Sequence, residues 1–232
     1  MSSSNLLTST IKPNREKALM LAKREVGVLV HNSVLLEGIH FTLPEINTLL
    51  EGVTVGGHKL GDQQIAINQG EAWRYLFSAV KNDEFYVSLD FICDLHAISA
   101  NEEVSEWGQL RSGGVTIAGS DYMPPKAADL PSKFAALLIS MERFDEIYDK
   151  AIHFFLSVAR NQFFYDVNKR TGRLMMNGIL LNAGYPAINL SAKRKLEFNQ
   201  LMMRFYKSGE EAEMNAFMRS CIDSRLVDIM SE

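Results

Sequence analysis

Apolar residues recur at helical spacing along most of this chain, and glycines interrupt the pattern at intervals. That rhythm constrains the fold more than any other feature. "REKALMLAKREVGVLVHNSVLLEG" (15–38) runs as one helix to Gly38, where a C-terminal cap would sit. "TLPEINTLLEG" (42–52) repeats the format, with Thr42 as N-cap, Pro44 in the first turn and Gly52 as the stop. Turn-rich "GGHKLGD" (56–62) leads into two core-packed helices over 63–80 and 85–99. Further helices are expected over 131–142, 143–160, about 170–183, 192–207 and 211–222, the third of these ended by Gly184 and Pro186. One stretch breaks the rhythm. "GQLRSGGVTIAGSDYMPP" (108–125) combines glycines, β-branched Val115, Thr116 and Ile117, and a proline pair, which predicts a short hairpin or flap. No repeat, low-complexity tract or linker divides residues 1–232, so the expectation is a single all-α domain with a small β-hairpin flap.

The bulk numbers narrow the function classes. At 47% hydrophobic and 22% charged, the chain has enough apolar material for a sizeable core. A net charge of −4 provides no general basic field, so neither nucleic acid nor an anionic membrane is an expected partner. No apolar run approaches the ~20 residues that span a bilayer. The start, "MSSSNLLTSTIKPNREK", lacks a basic stretch followed by an apolar one, which argues against a secretory signal. Cys93 and Cys221 stand far apart with no metal-ligand spacing and read as reduced thiols of a cytoplasmic protein. His31, His40 and His58 have no metal-like spacing either.

Against an acidic background, local clusters of cations carry more information. "NQFFYDVNKRTGR" (161–173) packs Asp166, Asn168, Lys169, Arg170 and Arg173 into eight positions ahead of a helical pattern. Asp166 or Asn168 suits its N-cap. Cations at a helix start oppose the macrodipole and cost a few tenths of a kcal/mol each when unpaired. The free amide groups of a first turn point the same way. An anion resolves the conflict, and phosphate is the usual occupant of such a position. Asp166 beside it suits Mg²⁺ that bridges to phosphate oxygens. A solvated basic turn paired with nearby carboxylates stays open on spacing alone.

The stretch resembles the Fic family motif, His-x-Phe-x-Asp/Glu-Gly-Asn-Gly/Lys-Arg-x-x-Arg, through Phe164, Asp166, Asn168, Lys169, Arg170 and Arg173. "NSVLLEG" (32–38) is similar to that family's inhibitory helix through Ser33, Glu37 and Gly38. Residues 108–125 look like its flap, and "LLNAGYP" (180–186) like the end of its motif helix. The resemblance implies transfer of a phosphate-containing group, most often AMP from ATP, onto a hydroxyl of another protein. It assigns Mg²⁺ to Asp166, phosphate seating to Asn168, the α/β-phosphates to Arg170 and the γ-phosphate to Arg173. Phe164 would anchor the loop. Gly114, Val115, Thr116 and Ile117 would pair with an extended target segment. Glu37, one helical turn from Ser33, would reach Arg173 in the space that a γ-phosphate needs. Partners are thus a nucleotide and a protein bound at the flap, with homo-oligomer formation left open.

Three positions depart from the motif. Gln162 stands where the family has its proton-accepting His, and loss of a general base costs ~10²–10⁴ in rate. His153 would lie about 13 Å away along a continuous helix at 1.5 Å per residue, beyond reach, and reads as a packing residue. Val167 stands where Gly is usual, so the loop backbone is expected to differ, since β-branched residues resist positive φ. Lys169, at the second Gly position, resembles the Doc subgroup, which phosphorylates instead. The expectation is a nucleotide-binding Fic-fold protein, resembling adenylyltransferases, with transfer weakened, altered or absent. The alternatives are a non-catalytic regulatory protein and a Doc-like kinase.

Overall fold

The computed structural model describes residues 10–232, so the first nine residues of the stretch read for a secretory signal lie outside it. Among the described residues eleven α-helices run in order: α1 Arg15–Arg24, α2 Val26–Leu36, α3 Leu43–Leu50, α4 Leu60–Lys81, α5 Leu89–Ser99, α6 Leu130–Met141, α7 Ile147–Asn161, α8 Asn168–Asn182, α9 Lys195–Ser208, α10 Ala212–Arg219 and α11 Ser224–Ser231. Among the described residues there is no β-strand, and no helix is long and apolar enough to cross a membrane.

α8 lies at the centre. Thirteen of its 15 residues are buried, so it is surrounded by other elements and its ends are held in place. Two glycines let neighbours approach closely. A Cβ at Gly172 would stand 3.1 Å from the Phe155 ring and 3.3 Å from the Phe155 carbonyl on α7. A Cβ at Gly178 would lie 2.4 Å from Phe85 and 2.8 Å from Leu76 of α4. The polar groups within this core are matched: Asn177 donates to the Ile188 carbonyl at 3.1 Å and accepts from the Ile188 amide at 2.8 Å.

Local chemistry explains α3 fully. Thr42 accepts from the Glu45 amide while the Glu45 carboxylate accepts from the Thr42 amide at 2.7 Å, a reciprocal cap. Those bonds hold the Glu45 carboxyl well below its usual range, at about 2.

Two expectations need correction. The helix expected over 15–38 is two helices, broken at Glu25, whose amide is shared between the Leu21 and Ala22 carbonyls, both at 3.2 Å. The hairpin expected over 108–125 is irregular loop. Its arms exchange no backbone hydrogen bonds: the Arg111 amide donates to Phe163 O at 3.0 Å, and the Ser120 amide closes a local turn on Ile117 O. Pro124 and Pro125 have no N–H to offer a ladder. Instead one buried side chain organises the segment. Arg111, 2% exposed, donates to the carbonyls of Gln162 (2.6 Å), Gly113 (2.5 Å) and Pro125 (2.5 Å).

Candidate functional site

α7 ends at Asn161 and α8 begins at Asn168, and the first and last residues of the turn between them are left-handed. Gln162 has φ 50° and ψ 64°, and Val167 has φ 60°. Val167 adopts this positive φ although β-branched residues resist it. The residue is 2% exposed, and packing holds it in a conformation that costs of order 1–3 kcal/mol.

Asn168 is the staple of this turn. Its Oδ1 accepts from the Phe164 amide at 2.9 Å; its Nδ2 donates to Phe164 O at 2.8 Å, to Asp166 O at 3.3 Å and to Gln162 Oε1 at 3.1 Å. Gln162 Nε2 donates in turn to Ala159 O at 2.6 Å. The glutamine amide is therefore tied into the helix end on one side and the loop on the other. His96, from α5, lies flat on the Phe164 ring at 3.8 Å. It accepts from the Gly108 amide at Nδ1 (3.0 Å), which leaves the proton on Nε2 to donate to Asp166 O (3.3 Å). Burial holds this ring neutral, with its pKa pushed down to about 4. One imidazole thereby joins the root of the flap to the loop.

The Asp166 carboxylate stays exposed, with Oδ1 accepting from the Val167 amide at 2.6 Å. Among the described residues, no group of three or more His, Cys, Asp or Glu side chains could hold a metal.

The start of α8 is different in kind. Its first intrahelical bond is from Thr171 to Val167 O. The amides of Asn168, Lys169 and Arg170 have no acceptor among the described residues, and no side chain caps the helix. Three cations stand beside them. Burial pulls the Lys169 ammonium pKa down. Arg170, 5% exposed, is lowered by burial but raised by more through the bonds and charges of Glu103 and Glu37. It donates to both oxygens of Glu103, at 2.8 Å from one terminal amine and closer still from the other. Arg173 is 8% exposed and pulled down by burial, and neither terminal amine has a hydrogen-bond partner. Glu37 Oε1, at the end of α2, stands 3.7 Å from Arg173 and 3.7 Å from Arg170 Nε, an ion pair too long for a hydrogen bond.

The sequence-predicted residues thus divide. Asp166, Lys169, Arg170, Arg173 and Glu37 share one neighbourhood. Asn168, expected at the phosphates, has its side chain spent on the turn. Ser33 lies within 3.5 Å of Gln69 Oε1 and both border a small cavity beneath α2 that Arg170 and Arg173 also line. In the flap, exposure alternates from Gly114 to Ile117, exposed then half-buried, without any strand pairing. His153 is a packing residue as expected, with its nitrogens taken by Ser140 (2.7 Å) and Glu211 (2.8 Å). Three residues escaped sequence reasoning: His96, Glu103 and Arg111. Each makes its decisive contact with a residue remote in sequence, and no local pattern signals it.

A model of the Fic/DOC family matches residues 86–180. The chain is 26% identical over 220 residues to a curated protein adenylyltransferase Fic of Drosophila mojavensis, covering 89% of this chain and 41% of that protein. It is 25% identical over 215 residues to the protein of the same name from Aedes aegypti, covering 89% and 42%. This chain therefore spans less than half the length of these relatives. Among solved structures, a Fic domain containing signaling protein from Bacteroides thetaiotaomicron shares the fold with a TM-score of 0.77 at 18% identity, over 99% of this chain and 96% of that one. A Fic family protein from Desulfovibrio desulfuricans does so at 0.71 and 23% identity, over 89% and 64%. The family match spans the loop and its helix, and these solved structures share the helical fold of this chain.

Proposed function

We propose that the start of α8 binds the phosphates of a nucleotide, ATP being the expected donor, within one Fic-type domain in a cytoplasmic setting. The observation that carries this reading is Arg173: a buried guanidinium whose two terminal amines have no hydrogen-bond partner, beside three helix amides without acceptors among the described residues. Such donors are costly to leave unmatched, and a polyanion would match them together. Lys169 and Arg170 add charge, with the Nε edge of Arg170 turned toward the Glu37 carboxylate. Asp166 fits Mg²⁺ as a single exposed carboxylate, for this ion keeps most of its waters and shares the rest of its shell with phosphate. When bound, Mg²⁺ supplies charge neutralisation at the phosphate oxygens.

Glu37 occupies the meeting point of the two guanidiniums, which supports an inhibitory function for α2 and Ser33–Glu37. The flap residues Gly114–Ile117 leave their backbone unpaired to each other, which supports capture of an extended protein segment. What is missing is a base. Gln162 accepts no proton at neutral pH and its amide is engaged on both sides. AMP transfer to a protein hydroxyl is therefore weak in this reading. The engaged Gln162 equally favours a second reading, a regulatory protein that binds nucleotide and a partner segment without transfer.

Calorimetric titration of Mg-ATP into Glu37→Gly tests the site. Measurable association, tighter than in the unmodified chain, is expected; no association overturns the reading. ATP labelled at the α- or γ-phosphate then separates AMP transfer, phosphorylation and binding alone.

A further inference from the structure

The carboxylate that holds Arg170 most tightly does not come from the inhibitory helix. It is Glu103, in the turn that follows α5, and that turn is anchored from three sides. Asn68 of α4 donates to Asn101 O at 2.8 Å, and Gln69 donates to Ser99 O at 3.3 Å. The Glu103 amide closes the turn on Ala100 O at 3.0 Å. Ser99 and Thr171 pair their hydroxyls at 3.2 Å, which fixes the turn against α8 next to Arg170. Asn68, Gln69 and Ser99 are all buried.

A guanidinium is a planar fork, so holding its two terminal amines decides where its Nε edge points. Glu103 takes both amines of Arg170. The Nε edge then faces Glu37 Oε1 at 3.7 Å, and Arg173 lies 3.7 Å from that same oxygen. One oxygen therefore marks where two guanidiniums converge. An oxygen of a nucleotide's terminal phosphate, taking the place of the Glu37 carboxylate, would meet both at once.

We propose that Glu103 is a positioning residue for the phosphate site: it holds the amines of Arg170 and aims that side chain's Nε edge at the point where Arg173 converges. This rests on the phosphate-binding reading above. Glu103 also keeps Arg170 neutralised when Glu37 withdraws, so the site opens without leaving a second buried cation unpaired. Removal of Glu37 and removal of Glu103 thus act in opposite directions, although both delete a carboxylate near the same arginine.

The test compares Glu37→Gly with Glu37→Gly/Glu103→Gln, and measures Mg-ATP and adenosine affinity by calorimetry. In the nucleotide-free chains, hydrogen exchange of the Arg170 terminal amines, the groups that Glu103 accepts from, is followed by NMR, their signals assigned by loss in Arg170→Lys. Glu103→Gln is expected to weaken ATP binding by about tenfold, as a charge-assisted pair is lost. The affinity for adenosine, which carries no phosphate, should change less than about twofold, and the Arg170 terminal amines should exchange rapidly. Glu103→Asp, which keeps the charge, should recover part of the ATP affinity. Persistence of protected terminal amines in Glu103→Gln overturns the proposal, as does an equal loss of ATP and adenosine affinity, the mark of a merely structural residue. If Glu37→Gly itself takes up no ATP, the phosphate reading falls, while exchange of the terminal amines still decides whether Glu103 fixes Arg170.

Discussion

Residues 162–168 and 169–173 are continuous in sequence and opposite in chemistry. In the first group nearly every polar side-chain atom is spent internally: Gln162 on Ala159 and Asn168, and Asn168 on Phe164, Asp166 and Gln162. In the second, a buried guanidinium keeps two amines without hydrogen-bond partners, and the helix amides beside it have no acceptors among the described residues. A folded chain closes polar groups that serve its own shape and leaves open those that await something else. The contrast makes residues 162–168 a self-bonded scaffold from which only the Asp166 carboxylate is exposed, and leaves the open donors to residues 169–173.

The largest effect is expected where scaffold is converted back to chemistry. Gln162→His in the Glu37→Gly background should raise incorporation of α-labelled phosphate into protein by ~10²–10⁴, the usual worth of a general base. Unchanged incorporation with intact ATP binding would mean that the first half of the loop is closed to chemistry by its geometry. Next comes acid. His96 titrates near 6.5 when unfolded and at about 4 when folded, so the unfolded chain binds the extra proton between those values. Stability contributed by its neutral form is complete above pH 6.5 and is lost as pH falls toward 4, by roughly 3 kcal/mol. Denaturant titration across that range checks it, and His96→Gln should flatten the slope. Asn168→Ala should lower stability by about 2 kcal/mol, because it leaves Phe164 backbone groups unmatched in a buried turn. The smallest effect belongs to the half with open donors. Arg173→Met should change thermal stability by no more than about 1 kcal/mol, since a buried cation without hydrogen bonds at its terminal amines, paired with Glu37 only at 3.7 Å, is replaced by an apolar chain. The same change in the Glu37→Gly background should abolish ATP association. If Arg173→Met destabilised the chain as much as Asn168→Ala, the distinction between the two halves would fail.

The sequence reading reached what is local. Thr42 and Glu45 announce their cap at three-residue spacing, and Gly38, Gly52 and Gly184 mark helix stops with positive φ. The cationic helix start was legible because charge against a macrodipole is a conflict visible in one window. The break at Glu25 was hidden, since apolar spacing continues across it. The flap failed for another reason: β-branched residues and glycines express a preference for extended backbone, but a hairpin needs its arms to pair. Here Arg111 supplies the carbonyl contacts from inside. Glu103 and Arg170 stand 67 positions apart, and an acidic turn carries no mark of which cation it will meet.

Arg111 has one more consequence. Its charge is met by three peptide oxygens, and among the described residues no carboxylate forms an ion pair with it. Peptide dipoles do not titrate. The mooring of the flap to the end of α7 therefore does not depend on the charge of any other side chain.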